Sequence, residues 1–427
     1  MPTDQLDAGR RRAYRQPKQF RIEPSVTQPP TPDVSVIMPC LNEVDSLTHC
    51  ITNAKAALAL IEKEYGLSGE IVIADNGSSD GSQALSESLG ARVVPVARRG
   101  YGAALIGGCE GAYGRFLLMG DADGSYDFTD GVAMIGRLAA GADLCMGSRF
   151  AGGIAPGAMP WKNRYIGNPV LTGILNLFFG SGIDDAHCGI RAITKQAFTA
   201  CGLTSSGMEF ASEMVVKASL LKLRIDQVPA TLSPDLRDRA PHLRPWRDGW
   251  RHLRFLLMHS PTWIFGVPAL LALLAGAMLM GGSALEWLRP GTAPAIGDYW
   301  TLLGATLVAV GHIALLMALA GHLYSIRAGY RQPTLVTRIA ARIASLESML
   351  ITGVALFGAG LGVLAAVAWG WVQRDFQAAH SLLPAAMGTM FLTLGVQNAL
   401  GGFLLAIIGG HEARFFAGLA EGDGPGQ

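Results

Sequence analysis

Residues 115–123 read RFLLMGDAD, an apolar run that ends in two aspartates. The run predicts a buried β-strand, and Asp121 and Asp123 follow it directly. Two acids spaced i, i+2 where a strand leaves a sheet can point both carboxylates into one crevice. Because Mg²⁺ and Mn²⁺ prefer oxygen ligands shared with substrate phosphates, the pattern predicts a Mg²⁺ or Mn²⁺ site. The alternative for an isolated Asp-x-Asp is a solvated loop.

Apolar runs on both sides of this stretch alternate with helical stretches. The strand-like runs are 34–38, 70–74, 91–96, 116–119 and 144–146, and the helical stretches include 45–65 and 82–89. This alternation predicts a mostly parallel α/β sheet with right-handed crossovers. The first strand is expected to break at Pro39. Ligands of such sheets bind at the carboxyl ends of the strands, so polar residues at those ends are candidate site residues.

The composition divides the chain into a soluble part and a membrane part. Half of the 427 residues are hydrophobic, only 16% are charged, and the mean hydropathy is +0.31, which is too apolar for an ordinary soluble protein. The excess lies in runs without Asp, Glu, Lys or Arg, each long enough to cross the hydrocarbon core as a helix. We predict an all-α membrane domain over residues 261–412 with four transmembrane helices, at about 263–285, 300–326, 349–373 and 384–410.

Basic residues predict the orientation of these spans. Arginines precede the first span and lie between the second and third, at Arg237, Arg239, Arg244, Arg247, Arg251, Arg254, Arg327, Arg331, Arg338 and Arg342. By the positive-inside rule both segments are cytoplasmic, and an even number of spans puts the N-terminal domain and the tail, 413–427, on the same side. The N-terminus has no apolar core of a signal peptide. We expect a multi-pass protein of the plasma (inner) membrane.

The remaining segments carry weaker signals. Residues 1–32 predict a disordered basic arm, and residues 236–260 an amphipathic interfacial helix, because apolar positions 246, 250, 253 and 257 recur at helical spacing. The alternative is that the arginines of this second segment serve only topology. A net charge of +1 gives no reason to expect a nucleic-acid partner. Six cysteines without a Cys-x-x-Cys pair predict reduced, structural thiols.

Five motifs occur in a fixed order along residues 34–229. They are PCLNE (39–43), DNGSSD (75–80), RGYGAA (99–104), DAD (121–123) and GSRF (147–150). Together they resemble the family-two inverting glycosyltransferases with a GT-A fold. Within that family they resemble the polyprenol-phosphate hexose synthases, such as the dolichol-phosphate mannose and glucose synthases. The resemblance implies a cytoplasmic α/β GT-A domain over residues 33–235, ahead of the membrane domain.

The resemblance also implies roles on the nucleotide side of the site. The residues implied to bind nucleotide are Pro39, Asn42, Glu43, Asp75 and Asp121. Asp75 would accept a hydrogen bond from the base, and Asp121 would lie beside the ribose and the metal. Asp123 would ligate the Mg²⁺ or Mn²⁺ that bridges the diphosphate. This agrees with the chemistry of a nucleotide-sugar leaving group, whose developing charge a metal and arginines can neutralise.

The acceptor side is implied in the same way. Arg149 and Arg164 resemble the arginines that contact the acceptor phosphate in the family, and Asn168 lies one helical turn after Arg164. Arginine suits this task because its planar fork donates two hydrogen bonds at once. The alternative for Arg149 is a surface residue that follows a strand. We further expect Arg237, Arg239 and Arg244 to contact the acceptor phosphate.

The segment 185–191, DAHCGIR, resembles the Asp-x-x-x-Gly-aromatic-Arg segment of the family, with Ile190 in place of the aromatic residue. Asp185 is therefore counted with Asp123, Arg149 and Arg164 as a catalytic candidate. His187 is expected to be packed or hydrogen-bonded rather than catalytic.

The expected function is transfer of a hexose from a nucleotide sugar to polyprenyl phosphate at the lipid bilayer. Residues 124–127, GSYD, replace the Leu-Gln-x-Pro of mannosyl synthases, which favours UDP-glucose over GDP-mannose as donor. A glycolipid or polysaccharide acceptor and a non-catalytic flippase are the alternatives. The absence of a Gln-x-x-Arg-Trp motif disfavours processive polysaccharide synthesis. The oligomeric state stays open, a homo-oligomer included.

Overall fold

A computed structural model of the chain describes residues 31–236, 245–288, 297–333, 344–377 and 381–411, together with Phe415. Almost all of the predicted disordered arm, 1–32, lies outside these residues, as do most of the predicted tail, 413–427, and Arg237, Arg239 and Arg244. The described residues from Pro32 onward belong to one compact unit.

The N-terminal part of this unit is built on one sheet. Within the described residues its strands are β1 Val34–Cys40, β2 Gly69–Asp75, β3 Arg92–Pro95, β4 Phe116–Met119, β5 Leu144–Ser148, β6 Arg191–Thr194 and β7 Ile225–Pro229. The spatial order is β3-β2-β1-β4-β6-β5-β7. Every pairing is parallel except those of β6, which runs antiparallel to β4 and β5. The prediction of a mostly parallel α/β sheet is confirmed.

Helices cover both faces of the sheet. They are α1 Val44–Tyr65, α2 Ser82–Ser88, α3 Tyr101–Gly111, α4 Asp130–Ala139, α5 Arg149–Gly152, α6 Asn168–Phe179, α7 Lys195–Cys201 and α8 Phe210–Leu220. On β1, Val36 and Met38 pack into the cluster that includes α1 residues, and Ile37 packs into the opposite cluster with residues of α3 and α8. Because both faces are covered, the central strands are apolar throughout.

The first strand does not break at Pro39, so that expectation is wrong. β1 continues to Cys40, and Pro39 lies opposite Ala74 of β2. The pairing of β1 with β4 has already ended, at Ile37 opposite Met119. Pro39 therefore has one neighbouring strand instead of two, and the N–H that proline lacks is not needed on the β4 side.

Four helices after the sheet domain are long and apolar enough to cross a membrane, among the described residues. The first begins with a π-helical turn, Thr262–Gly266, and continues as α10, Val267–Leu288. The others are α11 Asp298–Arg327, α12 Leu346–Val372 and α13 Leu383–Ile408. Their mean hydropathy is between 1.8 and 2.2. The prediction of a four-helix membrane domain is confirmed.

A helix named α9 here, Pro245–Met258, joins the two parts. Leu256 is fully buried among residues of α6 and α8, and His252 is also buried. Trp250 and Met258, in contrast, are 59% and 69% exposed. The helix thus packs one face on the sheet domain and leaves Trp250 and Met258 outside that contact. Its position in the plane of the lipid headgroups stays a prediction.

Glycines allow the backbones of α12 and α13 to touch. A Cβ atom at Gly395 would lie 2.6 Å from the carbonyl oxygen of Gly353, and one at Gly360 would lie 2.8 Å from that of Gly388. Close approach at small residues is a common way for membrane helices to associate, because it increases van der Waals contact.

This packing predicts a position-dependent cost. Gly395→Ala should destabilise the protein by about 1–3 kcal/mol, because the new methyl group forces the two backbones apart. Gly362→Ala is the matched control, since a Cβ there meets nothing within 4 Å. The measurement is thermal unfolding of both variants in the same detergent. Equal stability of the two variants would contradict this account of the contact.

Candidate active site

The loops after β1 and β2 form one unit at the carboxyl edge of the sheet. Asn42 has a left-handed backbone, φ 59°, a conformation that asparagine tolerates better than most residues. Its side-chain oxygen accepts a hydrogen bond from the Ser79 backbone at 2.8 Å, and its own N–H donates to Ser78 Oγ at 2.9 Å. The next residue, Glu43, is buried and donates its N–H to Ser82 Oγ at 3.0 Å. The structure therefore brings the two predicted nucleotide-binding loops together.

Asp75 lies at the end of β2 and is 2% exposed. Its carboxylate accepts hydrogen bonds from the backbone N–H of Gly77 at 2.9 Å and from that of Ser78. It also accepts one from Gln83 Nε2 at 2.7 Å. The carboxylate thus stabilises the turn that follows its own strand. Its implied contact with a nucleotide base stays a prediction.

Both acidic residues of the DAD motif are anchored by neighbouring hydroxyl groups. Tyr101 donates its hydroxyl to Asp121 Oδ1 at 2.8 Å. Ser125 donates its backbone N–H and its hydroxyl to Asp123 Oδ1, at 3.0 and 2.6 Å. Asp123 is buried, and the hydroxyl of Ser46 on α1 holds the intervening Ala122 carbonyl at 2.6 Å. The two carboxylates are therefore fixed in direction by the protein.

The segment before residue 237 lies on this acidic loop. The Leu236 N–H donates to the carbonyl oxygen of Asp123 at 2.9 Å. Gly124 has a φ of +79°, which favours glycine, and the Leu236 side chain lies directly against it. The three arginines predicted to contact the acceptor phosphate follow in the part of the chain outside the described residues. Their role stays a prediction.

The donor set of the acidic loop fits a hard divalent cation. The two aspartates offer only oxygen ligands. A site built from three or more His, Cys, Asp or Glu side chains is absent from the described residues, so a metal here would need ligands from water or substrate as well. Burial raises the pKa of the nearby Cys50 thiol to about 12, and Asp123 and Glu43 add to this effect, so no thiolate is available. Mg²⁺ and Mn²⁺ are commonly held by one or two carboxylates, water and substrate phosphates, whereas structural zinc needs more protein ligands.

Arg149 and Asp185 form a buried ion pair. Arg149 Nε and Nη2 donate to the two oxygens of Asp185 at 2.6 and 2.7 Å, and the Arg149 backbone N–H adds a bond of 3.2 Å. Their side chains are 9% and 0% exposed, so the alternative that Arg149 is a surface residue is wrong. The geometry is the two-pronged pairing that arginine favours with carboxylates. Asp185 thus occupies the Nε and Nη2 donors of the Arg149 guanidinium. The implied contact of Arg149 with the acceptor phosphate stays a prediction.

Tyr126 links the acidic loop to this ion pair. Its hydroxyl accepts a hydrogen bond from the Gly189 N–H at 2.8 Å and lies 3.5 Å from Arg149 Nη1. Neither Tyr126 nor Tyr101 was singled out from the sequence as a site residue. The available signal was their place inside two of the quoted segments, GSYD and RGYGAA.

Arg164 lies on the π-helical turn Asn163–Gly167, and Asn168 is the first residue of α6. The Arg164 guanidinium lies over the Tyr165 ring, 5.5 Å from its centroid. Among the ion pairs of the described residues none involves Arg164. Asn168 Nδ2 contacts the Met159 sulfur at 3.5 Å. Among the described residues no ion pair or hydrogen bond joins either candidate to the Arg149–Asp185 pair.

His187 is packed, as expected, against α8 and α9. Its Nε2 lies 3.2 Å from Ser212 Oγ, which in turn lies 2.7 Å from His252 Nδ1. Burial lowers the pKa of His187 well below its ordinary value, and His252 and Arg149 lower it further. The ring is therefore neutral at pH 7 and is no proton donor to a substrate.

Comparison with known proteins defines the family. The model described as glycosyl transferase family 2 matches residues 35–202, and the one for the family 2 C-terminal transmembrane region matches residues 319–409. The low-salt glycan biosynthesis hexosyltransferase Agl6 of Haloferax volcanii is 33% identical over 383 residues, which is 88% of this chain and 89% of that protein. Polyprenol monophosphomannose synthase of Mycolicibacterium smegmatis is 27% identical over 225 residues, 49% of this chain and 81% of that protein.

The chain belongs to glycosyltransferase family 2, and it is a multi-pass membrane enzyme of the transferase class. The predictions of a GT-A fold and of a glycosyltransferase are confirmed.

Proposed function

We propose that this protein transfers a hexose from a nucleotide sugar to polyprenyl phosphate at the cytoplasmic face of the plasma membrane, with inversion at C1. The proposal is carried by the hydrogen-bonded carboxylates of Asp121 and Asp123, which lie at the edge of the sheet where ligands bind. The same chain has four helices that can cross a membrane. The names of the relatives, a hexosyltransferase and a polyprenol monophosphomannose synthase, support it.

The acceptor candidates are connected to the membrane helices. The ring of Phe178, near the end of α6, stacks on that of Trp263 at the start of the first span, with centroids 5.4 Å apart and planes at 20°. Arg164 lies one turn before α6 begins. The stretch around Arg164 exposes Trp161, Tyr165 and Ile166. We therefore place it at the bilayer surface, where it would meet the phosphate of a membrane lipid rather than that of a water-soluble acceptor.

The chemistry needs positioning and charge neutralisation more than proton removal. A Mg²⁺ or Mn²⁺ ion held by Asp121 and Asp123 would neutralise the charge of the leaving diphosphate. The acceptor phosphate oxygen is already anionic at neutral pH, so it attacks C1 without a strong base. The bond from C1 to the diphosphate oxygen breaks, and its electron pair leaves with the nucleoside diphosphate.

We favour Arg164 for contact with the acceptor phosphate, because Asp185 already holds Arg149. Arg164→Ala should raise the KM for polyprenyl phosphate by about 10-fold or more, since a hydrogen bond to a charged group contributes about 1.5–3 kcal/mol. The KM for the nucleotide sugar should change little. Lysine at this position should restore part of the affinity, because it keeps the positive charge but cannot donate the two parallel hydrogen bonds of a guanidinium.

Lys162→Ala is the control for Arg164→Ala, since it removes an exposed positive charge two residues away. Steady-state kinetics in mixed micelles, with each substrate varied in turn, measure both effects. An equal rise for both variants would indicate general electrostatic attraction and would contradict a specific contact.

The donor is proposed to be UDP-glucose, with GDP-mannose as the alternative, on the basis of residues 124–127. A screen of labelled nucleotide sugars with polyprenyl phosphate and Mn²⁺ tests this choice. We expect labelled lipid from UDP-glucose. Labelled lipid from GDP-mannose alone would contradict the choice of UDP-glucose as donor but not the class of reaction. If no donor gives labelled lipid, the proposed reaction itself is contradicted.

A further inference from the structure

The hydroxyl of Tyr101 holds one oxygen of Asp121, the first acid of the DAD motif. The distance from the hydroxyl to Asp121 Oδ1 is 2.8 Å, and Tyr101 is the first residue of α3 whereas Asp121 lies in the loop after β4. A carboxylate can only accept this hydrogen bond, so the tyrosine hydroxyl donates it.

Two glycines fix the backbone on either side of Tyr101. A Cβ at Gly100 would lie 2.1 Å from the carbonyl oxygen of Ser206, and one at Gly102 would lie 2.3 Å from that of Ser205. The φ of Gly100 is +128°, which also requires glycine. The backbone at the start of α3 is thus in direct contact with the backbone of residues 205–206. This contact determines the position of the Tyr101 backbone, between the two glycines.

The segment 205–206 is itself held by a buried acid. Glu213 on α8 accepts hydrogen bonds from the backbone N–H groups of Thr204 and Ser205, at 3.0 and 2.8 Å. Glu213 pairs with Lys217 at 2.8 Å, and the two side chains are 1% and 3% exposed. The support beneath Tyr101 is therefore buried and hydrogen-bonded.

Gly189 limits the Asp121 carboxylate from another side. A Cβ at Gly189 would lie 2.6 Å from Asp121 Oδ2 and 2.6 Å from the ring of Tyr126. Any larger residue would displace the carboxylate or the ring. Tyr101 and Gly189 together leave Asp121 little freedom to rotate.

We propose that Tyr101 is a positioning residue, whose hydroxyl sets the direction of the Asp121 carboxylate toward the divalent cation and the nucleotide. This role rests on the proposed function, in which Asp121 takes part in holding the cation. Groups that hydrogen-bond a metal-binding carboxylate orient it, and their loss commonly weakens metal affinity by about 10- to 100-fold. Tyr101→Phe removes this one hydrogen bond and keeps the ring that fills the space.

The test is Mn²⁺ binding to the full-length protein in detergent with UDP present, followed by electron paramagnetic resonance. Tyr101→Phe should raise the Kd for Mn²⁺ by about 10-fold or more, and it should leave thermal unfolding unchanged. Tyr113→Phe is the matched control, because Tyr113 is 65% exposed and lies under Arg92. Gly189→Ala is a second variant that keeps Tyr101 and crowds both the Asp121 carboxylate and the Tyr126 ring, so it should weaken Mn²⁺ binding as well.

Wild-type Mn²⁺ affinity in Tyr101→Phe would overturn the assignment, as would an equal loss in Tyr113→Phe. If Tyr101→Phe does not fold, normal Mn²⁺ affinity in Gly189→Ala would overturn it instead. A wild-type protein that binds Mn²⁺ with UDP but transfers no sugar would contradict the proposed reaction alone. In that case the Mn²⁺ titrations still decide the role of Tyr101.

Discussion

Asp123→Asn should abolish sugar transfer while the protein stays folded. The amide keeps an oxygen that can accept the hydrogen bonds of Ser125, so the loop retains its support. The negative charge that would hold the cation is lost, and a metal supplies several kcal/mol of charge stabilisation in such reactions. We expect a fall in turnover of about 10³-fold or more, since about 1.4 kcal/mol corresponds to each factor of ten.

Turnover at saturating Mn²⁺ measures the loss of activity, and thermal unfolding of the same preparation shows whether the protein stays folded. Asp45→Asn is the matched control, because Asp45 is an exposed acid in the first turn of α1. It should keep most of its activity. Turnover of Asp123→Asn equal to that of the wild type would refute the metal assignment.

Arg149→Ala should destabilise the protein by about 3–5 kcal/mol, because it leaves the fully buried Asp185 carboxylate without its partner. Removing both side chains in Arg149→Ala/Asp185→Ala should cost less than the sum of the single changes, since the two groups interact directly. Arg115→Ala is the control. Its ion pair with Asp33 is largely exposed and should contribute about 0–1 kcal/mol.

Denaturant unfolding in micelles, followed by tryptophan fluorescence, measures these differences. A small loss of stability in Arg149→Ala together with a large rise in the KM for polyprenyl phosphate would contradict the structural role. It would instead support the phosphate contact that the sequence resemblance implies.

Local patterns account for the parts of the fold that the sequence predicts well. The acids of the DAD motif come directly after the apolar strand β4, and Asn42 and Glu43 follow β1 in the same way. The four membrane helices are equally local, because each is one long apolar run. In each case the signal and the element that it predicts occupy the same short stretch of chain.

Contacts between distant segments were not predictable in the same way. Tyr101 and Asp121 are 20 residues apart, and Arg149 and Asp185 are 36 residues apart. Both contacts depend on how the strands are ordered in the sheet. The antiparallel strand β6 has only four residues, too few to show a period. The buried face of α9 likewise depends on Leu256 meeting residues of α6 and α8.

The most direct test of the proposed reaction is its dependence on lipid phosphate. The purified protein is placed in vesicles with labelled UDP-glucose and Mn²⁺, and with polyprenyl phosphate, with polyprenol that lacks the phosphate, or with neither. We expect labelled lipid and an equal amount of nucleoside diphosphate only with polyprenyl phosphate, and neither product once the metal is chelated. Transfer to polyprenol, or release of nucleoside diphosphate at the same rate without any lipid acceptor, would contradict the account.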